Sequence, residues 1–116
     1  MTLVAALAAS GVYAQSAQPA PATPAPSIDQ ADVFLGICQK PENRDVCTMY
    51  LAGYTNGVLV QSLIDKKRPF YCVPQNIGRK EALETITSYM KVLPEHLLEP
   101  TGAALYKALI GAFPCK

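Results

Sequence analysis

Four cysteines, Cys38, Cys47, Cys72 and Cys115, are the side chains here best suited to chemistry. An even number in a chain of 116 residues makes disulfides the default use. Zinc is the rival use. Metal-binding cysteines come in close pairs such as Cys-x-x-Cys, and this sequence holds no such pair. Nucleophilic catalysis finds equally little. His96 is the single histidine, inside Pro94-Glu95-His96-Leu97-Leu98, a turn-like stretch. With the thiols oxidised, no Cys/His pair remains. No Gly-x-Ser-x-Gly elbow and no Gly-rich phosphate loop is present. Glu81 and Glu84 fall on the polar side of a predicted helix, where carboxylates are normally solvated. The expectation is a non-enzyme with no cofactor and no metal.

The elements that position the cysteines are helices. Between Cys72 and Cys115, Leu83, Ile86, Met90 and Leu93 recur at steps of three and four, one face of a helix. A second face gathers Thr101, Ala104, Leu105, Ala108, Leu109 and Ala112, and Pro114 stops it. Pro94 and Pro100 break the chain between the two. Helices joined by a short turn pack antiparallel, which would set the start of the first beside the end of the second. Of the three possible pairings, this favours Cys72 with Cys115. Cys38 then pairs with Cys47, across eight residues that join the end of one helix to the start of the next.

The N-terminal stretch contributes nothing to that core. Leu3 to Ala9 is short and apolar, and Val12-Tyr13-Ala14 has the form of a signal-peptidase site. Residues 1–14 are expected to be a signal peptide, although no Lys or Arg precedes the apolar run. The run is too short to span a bilayer, so no membrane span remains after cleavage. Residues 15–27, QSAQPAPATPAPS, read as a Pro/Ala-rich linker with polyproline character. Residues 28–116 are the folded domain, about 90 residues, a size only marginally stable by apolar burial alone. The net charge of +1 provides no field for nucleic acid or an anionic membrane. The only basic run, Lys66-Lys67-Arg68, falls where a helix should end and cations suit its carbonyls.

Asp29 or Asp32 is expected to cap a short helix through Val33, Phe34, Leu35 and Ile37. Asn43 is expected to cap a long one from Arg44 to about Lys66. Val46, Tyr50, Gly53, Gly57, Val60 and Ile64 lie along one stripe of it. Leu51, Tyr54, Val58, Leu59 and Leu63 cover most of the rest, so the pattern predicts a central or oligomer-contacting helix. Gly53 and Gly57 each cost about 1 kcal/mol of helix propensity. Their presence predicts close approach of another backbone, from a neighbouring helix or a second subunit. The stretch PFYCVPQNIG, Pro69 to Gly78, links the second and third helices. Its aromatics, Phe70 and Tyr71, either plug the end of the bundle or form a contact surface. The fold class is thus all-α, a small four-helix bundle stapled by two disulfides.

Several of these pieces carry a family resemblance. They are Tyr71-Cys72-Val73-Pro74, the Tyr89-x-x-x-Leu93-Pro94-Glu95 turn, the closing Ala112-Phe113-Pro114-Cys115, and Cys47-x-x-Tyr50-x-x-Gly53. Together they resemble the Rap/Tai immunity proteins. The resemblance implies a small, helical, periplasmic protein that neutralises a toxic effector delivered by type VI secretion, such as a peptidoglycan amidase. It also implies a homodimer, which would give Tyr50, Gly53 and Gly57 a role. The candidate contacts with the effector are two breaker-flanked segments on the stapled scaffold. One carries Phe70, Tyr71, Gln75 and Asn76; the other carries Glu95, His96 and Glu99. The alternative is a general envelope-stress or chaperone-like helical protein with no dedicated toxin.

Overall fold

Helices form between the breakers. The computed structural model describes residues 26–116, and among these it contains four α-helices and no strand. They are α1 (Ala31–Cys38), α2 (Arg44–Asp65), α3 (Arg79–Lys91) and α4 (Thr101–Ala112). Short 3₁₀ turns at Pro41–Asn43 and Pro94–His96 lead into α2 and follow α3. The expected signal peptide and most of the expected linker lie outside the described residues.

The core is built around α4. Thr101, Ala104, Leu105, Ala108 and Leu109 are all buried, as the spacing predicts. Phe34 and Leu35 of α1 and Leu83, Ile86 and Met90 of α3 close over them. Thr101 is the one buried polar side chain among the described residues. Its hydroxyl donates to the Ile28 carbonyl (2.6 Å) and its amide to that of Asp29 (2.6 Å), so burial leaves nothing unpaired.

Both disulfides form with the expected partners, Cys38 with Cys47 and Cys72 with Cys115. The second is reached by a different route from the antiparallel one. Tyr89, near the end of α3, lies against Gly111, near the end of α4, with its ring filling the place of a Cβ there. A strictly antiparallel pair would set residue 89 opposite the start of α4, so the two helices cross instead. What brings Cys72 to Cys115 is the loop before α3. The Cys72 amide donates to the Phe113 carbonyl (2.8 Å), and Tyr71 bridges Pro114.

The expected caps are replaced by tertiary ones. Neither Asp29 nor Asp32 caps α1, whose N-cap is Gln30 with no side-chain bond. The Ala31 and Asp32 amides donate instead to the carbonyls of Glu99 and Leu97, each at 3.0 Å. The turn before α4 thereby satisfies amides that a free helix would leave open. Asn43 does occupy the N-cap position of α2, but its Nδ2 donates back to the Ile37 carbonyl (3.0 Å). That bond ties α1 to α2 alongside the disulfide. At its far end α2 stops at Lys66, whose φ of 59° is left-handed. The Lys67 amide then returns to the Ser62 carbonyl (3.0 Å), closing the helix in a residue type that pays about 1–2 kcal/mol for that conformation.

The position of α2 departs most from expectation. It is not central. Only Cys47 and Leu51 are fully buried on it, with Tyr50, Tyr54 and Val58 half-buried against the core. Beyond Val58 no α2 side chain joins the core, because the helix outruns its neighbours. Among the described residues, nothing outside the local helix backbone comes within 4 Å of where a Cβ would stand on Gly53 or Gly57. No neighbouring helix among the described residues makes the close approach expected at these glycines. Close approach to glycine occurs on α4 instead, at Gly111 against Tyr89 and at Gly102, 3.5 Å from the Tyr54 ring.

Candidate partner-binding surfaces

Three surfaces are left once the core is closed. The first is the outer stripe of α2. Val46, Met49, Val60 and Ile64 are exposed here, Met49 at 72%, and Gly53 and Gly57 lie between them. At 100° per residue this stripe is diametrically opposite Leu51, which faces the core. Tyr50 sits at its edge and turns inward. Its ring packs 5.1 Å from that of Phe34, and its hydroxyl donates to Asp29 (3.1 Å).

The second is a groove between α2 and the loop 69–78. After Lys66 the chain does not lead away from α2 but runs back along it. The start of α3 thus comes to lie beside the first turn of α2, with Lys80 3.5 Å from Asp45 and Arg44 2.9 Å from Glu84. Leu51, Leu109 and Tyr71 form the floor; Thr48, Thr55 and Leu59 stand on the α2 side, and Val73, Ile77 and Arg79 on the other. The groove has a volume of about 340 Å³.

The third is the pair of segments expected to meet a partner. The structure separates them. The loop holding Phe70, Tyr71, Gln75 and Asn76 lies at the end of α4, and Glu95, His96 and Glu99 lie at its start. Twelve helical residues separate them, roughly 18 Å. One partner would have to span α4 to touch both. Phe70 is 74% exposed, whereas Tyr71 is only 9% exposed and packs edge-on to Tyr106 at 5.6 Å. The two aromatics thus divide the expected roles: Tyr71 plugs the bundle, and Phe70 faces outward. Gln75, Asn76 and Glu95 are exposed. His96 and Glu99 hold each other at 2.7 Å, and Lys107 Nζ meets the same carboxylate at 2.7 Å. The Lys107 and His96 hydrogen bonds hold the Glu99 carboxyl below its ordinary range.

All four thiols are in disulfides, and among the described residues no group of three His, Cys, Asp or Glu is placed to hold a metal. The tyrosines at the junction of α2, α4 and the loop are structural. Tyr54 donates to the Gly102 carbonyl (2.8 Å), and burial, helped by Tyr71 and Tyr106, pushes its hydroxyl up to about 12. A folded-state value above the unfolded value of roughly 10 favours folding while the phenol is neutral. That contribution is complete below pH 10 and is lost as the pH rises towards 12. Urea midpoints measured from pH 8 to 11.5 should fall above pH 10, and Tyr54→Phe should flatten the fall. An equal fall in the variant would assign it to other groups.

The sequence concealed the groove. Thr48, Ala52, Thr55 and Leu59 do recur at helical spacing, but no local signal says that the loop doubles back along them.

The fold is thus a disulfide-stapled helical scaffold that presents apolar and charged surfaces, the design of a binding protein. The chain belongs to the family of Rap1a immunity proteins, whose family model matches residues 30–115. That family makes it an immunity protein directed against a secreted toxin. Immunity proteins of this kind are generally not enzymes. Neither a search of curated proteins nor one of solved structures returned a match. No helix among the described residues is long and apolar enough to cross a membrane.

Proposed function

We propose that this chain is a periplasmic immunity protein that binds a toxic effector enzyme delivered by type VI secretion, such as a peptidoglycan amidase, and blocks its active site. The observation that carries the reading is the family match, which spans both disulfides and all four helices. Two disulfides in a domain of this size fit an oxidising compartment, and residues 1–14 are assigned as the cleaved export signal. Inhibition by occlusion needs only affinity and a rigid shape. The stapled scaffold offers both at little ordering cost. Phe70 is assigned as an anchor, since exposed aromatics are enriched among binding hot spots. The test is co-expression with a periplasm-directed effector from the same genome. Growth should be restored, and Phe70→Ala/Gln75→Ala should protect less while unfolding at the wild-type temperature. If no effector of that genome is neutralised, the immunity assignment fails.

The exposed stripe of α2 supports a homodimer through Gly53 and Gly57. Because both glycines face open space within the chain, Gly53→Leu should not destabilise a monomer. A leucine there should even gain some helix propensity, up to about 1 kcal/mol. Light scattering should report a dimer for the wild type and a monomer for Gly53→Leu. A wild-type monomer, or an unchanged dimer in the variant, removes this contact. A stripe of this kind also suits the chaperone-like alternative. In that case the wild type is monomeric and suppresses aggregation of unfolded envelope proteins, and Met49→Lys abolishes the effect.

A further inference from the structure

The groove between α2 and the returning loop has a chemistry of its own. Its floor is apolar, and Leu51, Tyr71 and Leu109 beneath it belong to the core, so its shape is fixed before anything binds. From Thr48 to Leu59 it follows α2 for eleven residues, roughly 16 Å. Five residues of extended chain cover that distance. Arg79 stands near the Thr48 end. At the other end a second hollow continues past Leu59 and Pro69 to Lys66, Lys67 and Arg68. None of these four cations enters an ion pair among the described residues, although Arg44, Lys80 and Lys107 all do. Of the seven Lys and Arg side chains without an ion pair among the described residues, these four thus stand at the two ends of one apolar trough, and Lys40, Lys91 and Lys116 lie outside it.

We infer that this groove receives a short extended segment of the partner toxin, apolar in its middle and acidic at both ends. The inference rests on the immunity reading for the identity of the partner. Charge complementarity selects the acids, and the apolar floor selects what lies between them. Along the α2 wall the Thr48 and Thr55 hydroxyls donate to the Arg44 and Ala52 carbonyls, so their oxygens can still accept from peptide amides, and the Asn56 amide can both donate and accept. The single carboxylate of an acyl chain would answer only one of the two cationic ends. The groove therefore differs in kind from the Phe70 surface: it accepts a side chain from the partner, where Phe70 is offered to the partner.

Two experiments test this. In the first, the ¹⁵N-labelled mature chain is titrated with the capped peptide Glu-Leu-Phe-Leu-Glu and followed by amide shifts. Shifts should be confined to residues 48–59 and 66–82 and to Leu109 and its neighbours in α4. The peptide Lys-Leu-Phe-Leu-Lys should bind about ten-fold more weakly, and Arg79→Glu should weaken the acidic peptide to a similar degree. Shifts elsewhere, no shifts at millimolar peptide, or equal binding of both peptides would overturn the inference. So would tighter binding of dodecanoate at the same amides, which would make the groove a lipid site. The second experiment fills the groove with Ala52→Trp or Thr55→Trp, keeping whichever variant unfolds at the wild-type temperature. Co-expressed with a neutralised effector, the filled variant should protect at least about ten-fold less well in dose. Protection by the wild type and equal protection by the filled variant would reject the groove while leaving the immunity reading intact. Failure of the wild type to protect would reject that reading, and the peptide titration would still decide whether the groove binds acidic apolar chains.

Discussion

Replacing Cys72 and Cys115 together by alanine should lower the unfolding free energy by about 4 kcal/mol, the chain-entropy value for a closed loop of this length. The bridged residues are 43 apart in sequence, against 9 for Cys38 and Cys47. The same relation gives the shorter loop about 3 kcal/mol. Small domains have roughly 5–15 kcal/mol in total, so the longer bridge holds a large share of the stability. Its loss should also loosen the loop, which would then be held on α4 by the Cys72 amide bond, the Tyr71 bridge to Pro114, and the contacts of Phe70 and Tyr71 with Tyr106. Because Tyr71 floors the groove, binding and stability should decline together. Urea unfolding followed by circular dichroism measures the difference. A loss under about 1 kcal/mol for the Cys72 pair would mean that the loop is held by packing alone.

Phe34→Ala should cost about 3–5 kcal/mol, the usual range for emptying a buried aromatic site. Phe34 is fully buried and packs against the Tyr50 ring, so the cavity would open at the junction of α1, α2 and α4. The helix that carries it, α1, is fixed at both ends, by the Cys38–Cys47 bridge and by the Ala31 and Asp32 amides on the Glu99 and Leu97 carbonyls, which limits collapse into the space. Phe70→Ala provides the contrast. At 74% exposure it should change stability by less than about 0.5 kcal/mol while weakening any contact the ring makes with a partner. Thermal melts of the two variants side by side separate the roles. Equal losses in both would contradict the placement of Phe70 outside the core.

The two phenylalanines also show where local reasoning succeeds. Phe34 lies in an apolar run with helical spacing, and burial follows from the pattern. Phe70 and Tyr71 are adjacent in a loop without periodicity, and no pattern says which one turns inward. Tyr71 does so because its neighbour Cys72 is locked to the end of α4, which directs the ring at Tyr106. The same limit applies to glycine. A glycine pair four apart signals close approach only if something approaches, and this pair lies on the side of α2 that faces away from the core.

From the order of residues alone came the helices, their apolar faces, the breaks at the prolines and the Cys38–Cys47 pairing, which leaves Cys72 for Cys115 although the antiparallel route expected for that bond is not the one taken. Each of these depends on local spacing or on the small number of ways four cysteines can pair. Tertiary structure alone decided the placement of α2 at the edge, the crossing of α3 over α4 and the caps supplied by the turn before α4. It also decided the groove, in which Arg79 and Thr48, 31 positions apart in the chain, line one trough. Those features depend on how far one helix extends past another and on where a ten-residue loop is led once its ends are tied. Both are settled by the packing of the whole core, and neither leaves a periodic mark in the sequence.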